Sequence, residues 1–263
     1  MSQAKRGRFV WHELLTTDPD AAQRFYSDVV GWTTGKWQGK VTPDMPPYTM
    51  WMVGEQSIGG VMELPEDARL AGAPSHWLAY VSTPDTDALA KRVSGAGGTI
   101  LVPPMDIPEV GRMFVFADPQ GATLAGYTPA GEIPGSDGAP GVGAFSWHEL
   151  ATTDYEAAFA FYHDLFGWEK TEQMDMGPAG IYQMYGLDGT HFGGIYNKPD
   201  DMPAPPNWLH YARVPDVHKA AERAKKLGGQ ILNGPMEVPG GDWIVQAMDP
   251  QGAMFALHHV AQG

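Results

Sequence analysis

An α+β fold of four βαβββ modules, arranged as two tandem domains, is predicted by three observations. First, the chain repeats itself: Phe9–Trp32 and Phe145–Trp168 share 15 of 24 residues at a spacing of 136. Second, each copy alternates short β-compatible runs with two stretches of helical periodicity, each opened by an Asp. Third, Gly (33) and Pro (23) make up about 21% of the 263 residues beside 43% apolar ones, the composition of many short elements joined by tight turns.

Phe9–Thr16 reads as the first strand. Asp18 then caps a helix whose first position is Pro19, where a missing N–H costs nothing. Ala21, Ala22, Phe25, Tyr26 and Val29 keep helical spacing, and Gly31 ends it. Strands are predicted near Thr33–Trp37, over Tyr48–Val53 and over Ser57–Glu63. The second module opens with a strand over Trp77–Ser82 and a helix over Asp85–Ser94, stopped by Gly97-Gly98. Thr99–Val102, Arg112–Asp118 and Ala122–Tyr127 follow as strands, the last two joined by the Asp118-Pro-Gln-Gly turn. The second copy repeats the order, with helices over Asp154–Phe166 and Asp216–Leu227. Further matches, Trp77/Trp208 and Asp118/Asp249 at a spacing of 131 and Gly59-Gly60/Gly193-Gly194 at 134, place the length differences in loops. The domains are therefore expected over 1–130 and 144–263, with 131–143 as a Gly/Pro-rich linker.

Composition excludes several function classes. With no cysteine there is no disulfide framework, thiolate metal site or cysteine nucleophile. A net charge of −14 opposes binding to phosphate backbones. The basic start, Lys5-Arg6-Gly7-Arg8, is not followed by a long apolar run, so neither a signal peptide nor a membrane span is expected, and the cytoplasm is the expected location.

The segments Asp18…Ala21-Ala22…Phe25-Tyr26…Gly31-Trp32 and Asp118-Pro119-Gln120-Gly121, with their partners in the second copy, resemble the vicinal oxygen chelate superfamily. That superfamily includes glyoxalase I, bleomycin-resistance proteins and extradiol dioxygenases. The resemblance covers nearly the whole chain and is similar in form to bacterial two-domain glyoxalase-like members. It implies that paired βαβββ modules curl into half-barrels, two tandem glyoxalase-like domains, each with a cleft for a metal and a small ligand. Its ligand positions on the first strand of each module fall on Trp11 and Leu78, and on Trp147 and Leu209 in the second copy. Its final-strand Glu falls on Ala125 and Ala256. None of these side chains coordinates a cation, so no cofactor is expected, a divalent metal being the alternative. A one-residue slip would substitute His12 or His148, but slippage turns every side chain of a strand to its other face.

Alternation places Trp11, Glu13 and Leu15 on one face of the first strand and His12, Leu14 and Thr16 on the other. Glu13 and Glu149 are accordingly candidate acid–base groups or ligand anchors, with a structural hydrogen bond as the competing reading. The candidate ligand-binding residues are Trp11, Tyr80, Tyr127, Trp147, Tyr211, Arg213 and His258. Arg213, which stands where the first copy has Ser82, would bind an anion or pair with a carboxylate. The function expected is the binding of a small, partly aromatic metabolite or drug in a half-barrel cleft with a degenerate metal site. The alternative is a lyase, isomerase or hydroxylase-type enzyme that uses His12/Glu13 and His148/Glu149 as an unusual metal site, or a metal-free Glu. The expected partner is a small molecule, with neither nucleic acid nor membrane, to a monomer or homodimer.

Overall fold

The computed structural model describes residues 6–37, 39, 48–131 and 139–261. Of the linker expected over 131–143, residues 132–138 lie outside that range. The first module comprises β1 (Phe9–Thr16), α1 (Pro19–Val29), β2 (Thr33–Lys36), β3 (Thr49–Val53) and β4 (Gln56–Glu63). A five-residue helix that periodicity does not reveal, α2 (Glu66–Leu70), precedes the second: β5 (His76–Ser82), α3 (Thr86–Gly95), β6 (Thr99–Ile107), β7 (Gly111–Ala117) and β8 (Thr123–Pro129). The third comprises β9 (Phe145–Thr152), α4 (Tyr155–Phe166), β10 (Glu169–Asp175), β11 (Ile181–Leu187) and β12 (Thr190–Asn197). The fourth is β13 (Asn207–Arg213), α5 (Val217–Lys226), β14 (Gln230–Glu237), β15 (Trp243–Met248) and β16 (Met254–His259).

The strands form two eight-stranded mixed sheets of identical order, β2-β3-β4-β1-β5-β8-β7-β6 and β10-β11-β12-β9-β13-β16-β15-β14. The α+β class and the tandem arrangement follow directly. Each long helix begins as its Asp dictates: Asp18, Asp85, Asp154 and Asp216 accept from Ala21, Ala88, Ala157 and Lys219 N–H at 2.9–3.0 Å. Each such cap contributes about 1 kcal/mol. The strand expected to stop at Val102 continues to Ile107 through Pro103-Pro104. It can do so because β6 is an edge strand whose register shifts between Val102 and Met105, the place where a sheet tolerates proline.

By backbone proximity the chain divides into two compact units, one holding α1 and α5, the other α3 and α4. In the first, Phe25, Tyr26, Trp32, Trp51 and Trp77 bury against Val217, Ala221, Phe255 and Leu257. In the second, Leu89, Val93, Phe114 and Phe116 bury against Phe161, Tyr162, Trp168 and Trp208. The repeat motifs supply the polar links of both cores. Trp77 Nε1 donates to the Tyr26 hydroxyl at 3.0 Å, and Tyr26 donates to Asp249 of the DPxG turn at 3.0 Å. Trp208, Tyr162 and Asp118 repeat this chain at 3.1 and 2.9 Å. Among the described residues no helix is long and apolar enough to cross a membrane.

Candidate functional site

The repeated Trp-x-Glu of β1 and β9 builds one constellation in each unit. In β9, Trp147 Nε1 donates to the Tyr182 hydroxyl at 2.8 Å, and that hydroxyl donates to Glu149 Oε2 at 2.9 Å. The tyrosine oxygen both accepts and donates, so its rotor is fixed and the carboxylate is oriented. The charge of Glu149 is felt by Tyr185 and Tyr196, whose phenols are pushed up first by burial and then by that carboxylate. Tyr196 stacks on Tyr182 with ring centroids 5.8 Å apart, giving the carboxylate an aromatic surround. In β1, Trp11 Nε1 donates to the Tyr48 hydroxyl at 2.9 Å, and Glu13 lies opposite Gly60 in the register of β1 with β4.

The paired glycines explain why a tyrosine fits there. A Cβ on Gly60 would lie 2.0 Å from the Tyr48 hydroxyl oxygen, and one on Gly194 would lie 2.0 Å from Tyr182 Cζ. The ring occupies the space a side chain would take. Gly59 and Gly193 serve a different need, because a Cβ on either would strike the carbonyl oxygen of His12 or His148. Tyr48 and Tyr182 are absent from the residues singled out in the sequence. Their signal was present, since they share the 134-residue spacing of the glycine pairs, as do Met50 and Met184 beside them.

The other candidate residues separate. Tyr80 meets Tyr127 edge-to-face at 6.2 Å, and the Tyr127 hydroxyl donates to the Val110 carbonyl at 2.7 Å. The Tyr211 hydroxyl accepts from Gln246 Nε2 at 2.7 Å. Arg213 donates to the Pro140 carbonyl. His258 lies between Ser146 and Asp242, with Nδ1 2.8 Å from Ser146 Oγ and Nε2 2.9 Å from Asp242 Oδ2.

The histidines require a correction. His12 shares the core face of β1 with Leu14, stacking on Phe145 at 3.8 Å, and its ring lies 5.1 Å from that of His210. His148 stacks likewise on Phe9 at 3.7 Å. His12 and His210 are buried in the unit holding α1 and α5, and His148 is buried in the other; each offers a ring nitrogen of the kind that ligates metals. The expectation of no cofactor therefore does not stand: buried imidazoles such as these could hold a metal ion. The donor set suits a transition metal, which neutral imidazole binds well, and burial pushes His210 down to about 3, so that its ring is neutral near pH 7. The sequence kept His12 and His148 only as an alternative metal site, because the ligand positions implied by the resemblance face the opposite way, where Trp11, Trp147, Leu78 and Leu209 stand. His210 has Ala79 as its repeat partner, so no repeated spacing marked it.

Comparison with known proteins gives the same architecture. The family model described as the Glyoxalase/Bleomycin resistance protein/Dioxygenase superfamily matches residues 8–125 and again 144–257. A Mycobacterium tuberculosis protein named as a glyoxylase, CFP32, is 30% identical over 257 residues, covering 97% of this chain and 96% of that protein. The anthracycline biosynthesis protein DnrV of Streptomyces peucetius is 30% identical over 278 residues, covering 100% and 97%. Among solved structures, the Mn(II)-bound glyoxalase from Novosphingobium aromaticivorans aligns with a TM-score of 0.62 at 18% identity, covering 100% of this chain and 84% of that one. At that identity the likeness concerns the fold alone.

Proposed function

Because the chain belongs to the Glyoxalase/Bleomycin resistance protein/Dioxygenase superfamily, we propose that it binds a small, partly aromatic molecule through its Trp–Tyr–Glu constellations. The observation carrying this reading is the chain of hydrogen bonds from Trp147 through Tyr182 to Glu149, with its counterpart from Trp11 to Tyr48 beside Glu13. A carboxylate offers about four acceptor positions, so Glu149 can bind Tyr182 and still accept a ligand hydroxyl or ammonium. The surrounding rings suit a planar apolar body. A relative that serves anthracycline biosynthesis supports an aromatic ligand of this kind. Titration of intrinsic tryptophan fluorescence with a panel of hydroxylated aromatics tests the reading. Saturable binding below millimolar, weakened by E149Q and E13Q, is expected; no binding below millimolar across the panel overturns it.

A second reading is favoured by the buried imidazoles of His12, His148 and His210: an enzyme of the superfamily with a bound metal ion and with Glu13 or Glu149 moving a proton. Bound metal would supply Lewis-acid chemistry. Elemental analysis of protein purified without chelators checks it, and less than about 0.1 equivalent of any transition metal removes it.

A further inference from the structure

Outside these constellations, the unit holding α1 and α5 contains a linear array of Ser146, His258 and Asp242. Ser146 Oγ lies 2.8 Å from His258 Nδ1, His258 Nε2 lies 2.9 Å from Asp242 Oδ2, and Asp242 Oδ1 accepts from Ala261 N–H at 2.9 Å. The aspartate's two oxygens are thus both engaged, one by backbone and one by the ring. Because a carboxylate only accepts, an Nε2 proton faces it; in the neutral ring Nδ1 then presents its lone pair to the serine hydroxyl, whose other acceptor is the Tyr211 carbonyl at 3.4 Å. None of the three residues is fully buried: Ser146 is half-buried, and the His258 and Asp242 side chains are 15% and 32% exposed. Arg213 lies opposite His258 in the register of β13 with β16, placing a cation on the neighbouring strand. The repeat supplies an internal control. Counted by the same spacings, the first copy has Val10, Tyr127 and Gly111 at these three positions. Packing in this fold therefore does not require a serine, histidine or aspartate at any of them.

We propose that Ser146 is a nucleophile activated by His258 and oriented through Asp242, a second reactive centre that accepts acyl groups from activated carboxylic esters and phosphonyl groups from fluorophosphonates. In the acyl case Oγ attacks the ester carbonyl while its proton passes to His258 Nδ1. The C–O bond to the leaving alcohol then breaks, and the same proton returns to that alcohol. Water, deprotonated by His258, releases the carboxylic acid and restores the serine. With a fluorophosphonate the O–P bond forms, the P–F bond breaks, and the net product besides the adduct is HF. Asp242 is a positioning residue, because it holds the ring and touches no reacting atom.

A fluorophosphonate probe with intact-mass and peptide analysis tests this on the full chain. One adduct on the Ser146 peptide is expected, none in S146A, and a rate at least about tenfold lower in D242N. D242E should restore the rate to within about threefold, which a merely structural role for Asp242 would not do. Because the protein has no cysteine, S146C adds the one thiol and gives an independent readout. Its alkylation by iodoacetamide should be at least about tenfold faster than that of the S146C/D242N double variant. The proposal is overturned if the wild type takes no adduct under conditions that label a serine hydrolase to completion, if the adduct persists in S146A, or if the two thiol variants alkylate alike.

Discussion

The Tyr26 hydroxyl donates to Asp249 Oδ2 across 3.0 Å, although the two residues are 223 positions apart and come from opposite copies of the repeat. Tyr162 and Asp118 make the reciprocal bond at 2.9 Å. Both tyrosines are fully buried, and burial pushes both aspartates up despite the backbone N–H groups they accept. The FY and DPxG motifs of the superfamily thus act here as two halves of one structural bond. Y26F would leave one oxygen of a buried carboxylate and the Trp77 indole N–H without this partner. A loss of roughly 1–3 kcal/mol is expected, and the same for Y162F, measured by urea denaturation. Stability equal to wild type in both variants would refute the assignment.

Gln120 and Gln251 occupy matching positions of the two DPxG turns, yet only one is fully used. Gln120 Oε1 accepts from the Thr153 and Asp154 N–H groups at 2.9 and 2.8 Å and from the Thr153 hydroxyl, while Nε2 donates to the Asp154 carbonyl. Gln251 Oε1 is buried without a hydrogen-bond partner among the described residues. Q120A should therefore cost about 1–3 kcal/mol, and Q251A distinctly less, by the same denaturation measurement.

The paired glycines should respond differently to the same substitution. G59A and G193A drive a methyl into backbone oxygen and are expected to destabilise strongly, by about 3 kcal/mol or more. G60A and G194A meet only tyrosine side chains, which can swing aside. These two should fold with a smaller loss yet show altered tryptophan fluorescence and weaker ligand binding, because Tyr48 and Tyr182 leave their tryptophan partners. Equal stability losses at all four positions would contradict this.

His210 makes stability depend on pH. Burial holds the folded ring down to about 3, against an ordinary value near 6.5 in the unfolded chain. Between those values the unfolded state binds the proton and the folded state does not. The contribution is therefore complete above about pH 6.5 and is lost on acidification towards 3, with a limiting slope of about 1.4 kcal/mol per pH unit. H210A, which installs the residue found at Ala79, should flatten the profile between pH 7 and 5, whatever its absolute stability. Parallel profiles in wild type and H210A would show that another group carries the acid sensitivity.

The first-strand tryptophans and glutamates were legible at once, because period-two alternation and an exact repeat both marked them. Tyr48 and Tyr182 were not, since they lie across a turn from the glycine strand, and only pairing with it brings Tyr182 to Glu149 and Tyr48 to Trp11. For a related reason His12 and His148 stood only as an alternative and His210 was passed over. Each was weighed within its own strand, whereas His12 meets Phe145 and His210 only after chain folding. Of Ser146, His258 and Asp242, spread over 113 positions, only His258 was singled out in the sequence, and no spacing joined the three.

By itself the sequence determined the modules: the capping aspartates, the helical spacing of Phe25 and Tyr26, and the repeat from Phe9 to Trp32 are local and are read without knowing what lies nearby. Tertiary structure alone decided which modules share a core and which polar groups meet. Covalent order says that the module of Tyr26 is followed by that of Asp118, but apolar burial joins it to the module of Asp249. Burial depends on complementary faces in space, and sequence distance does not record those.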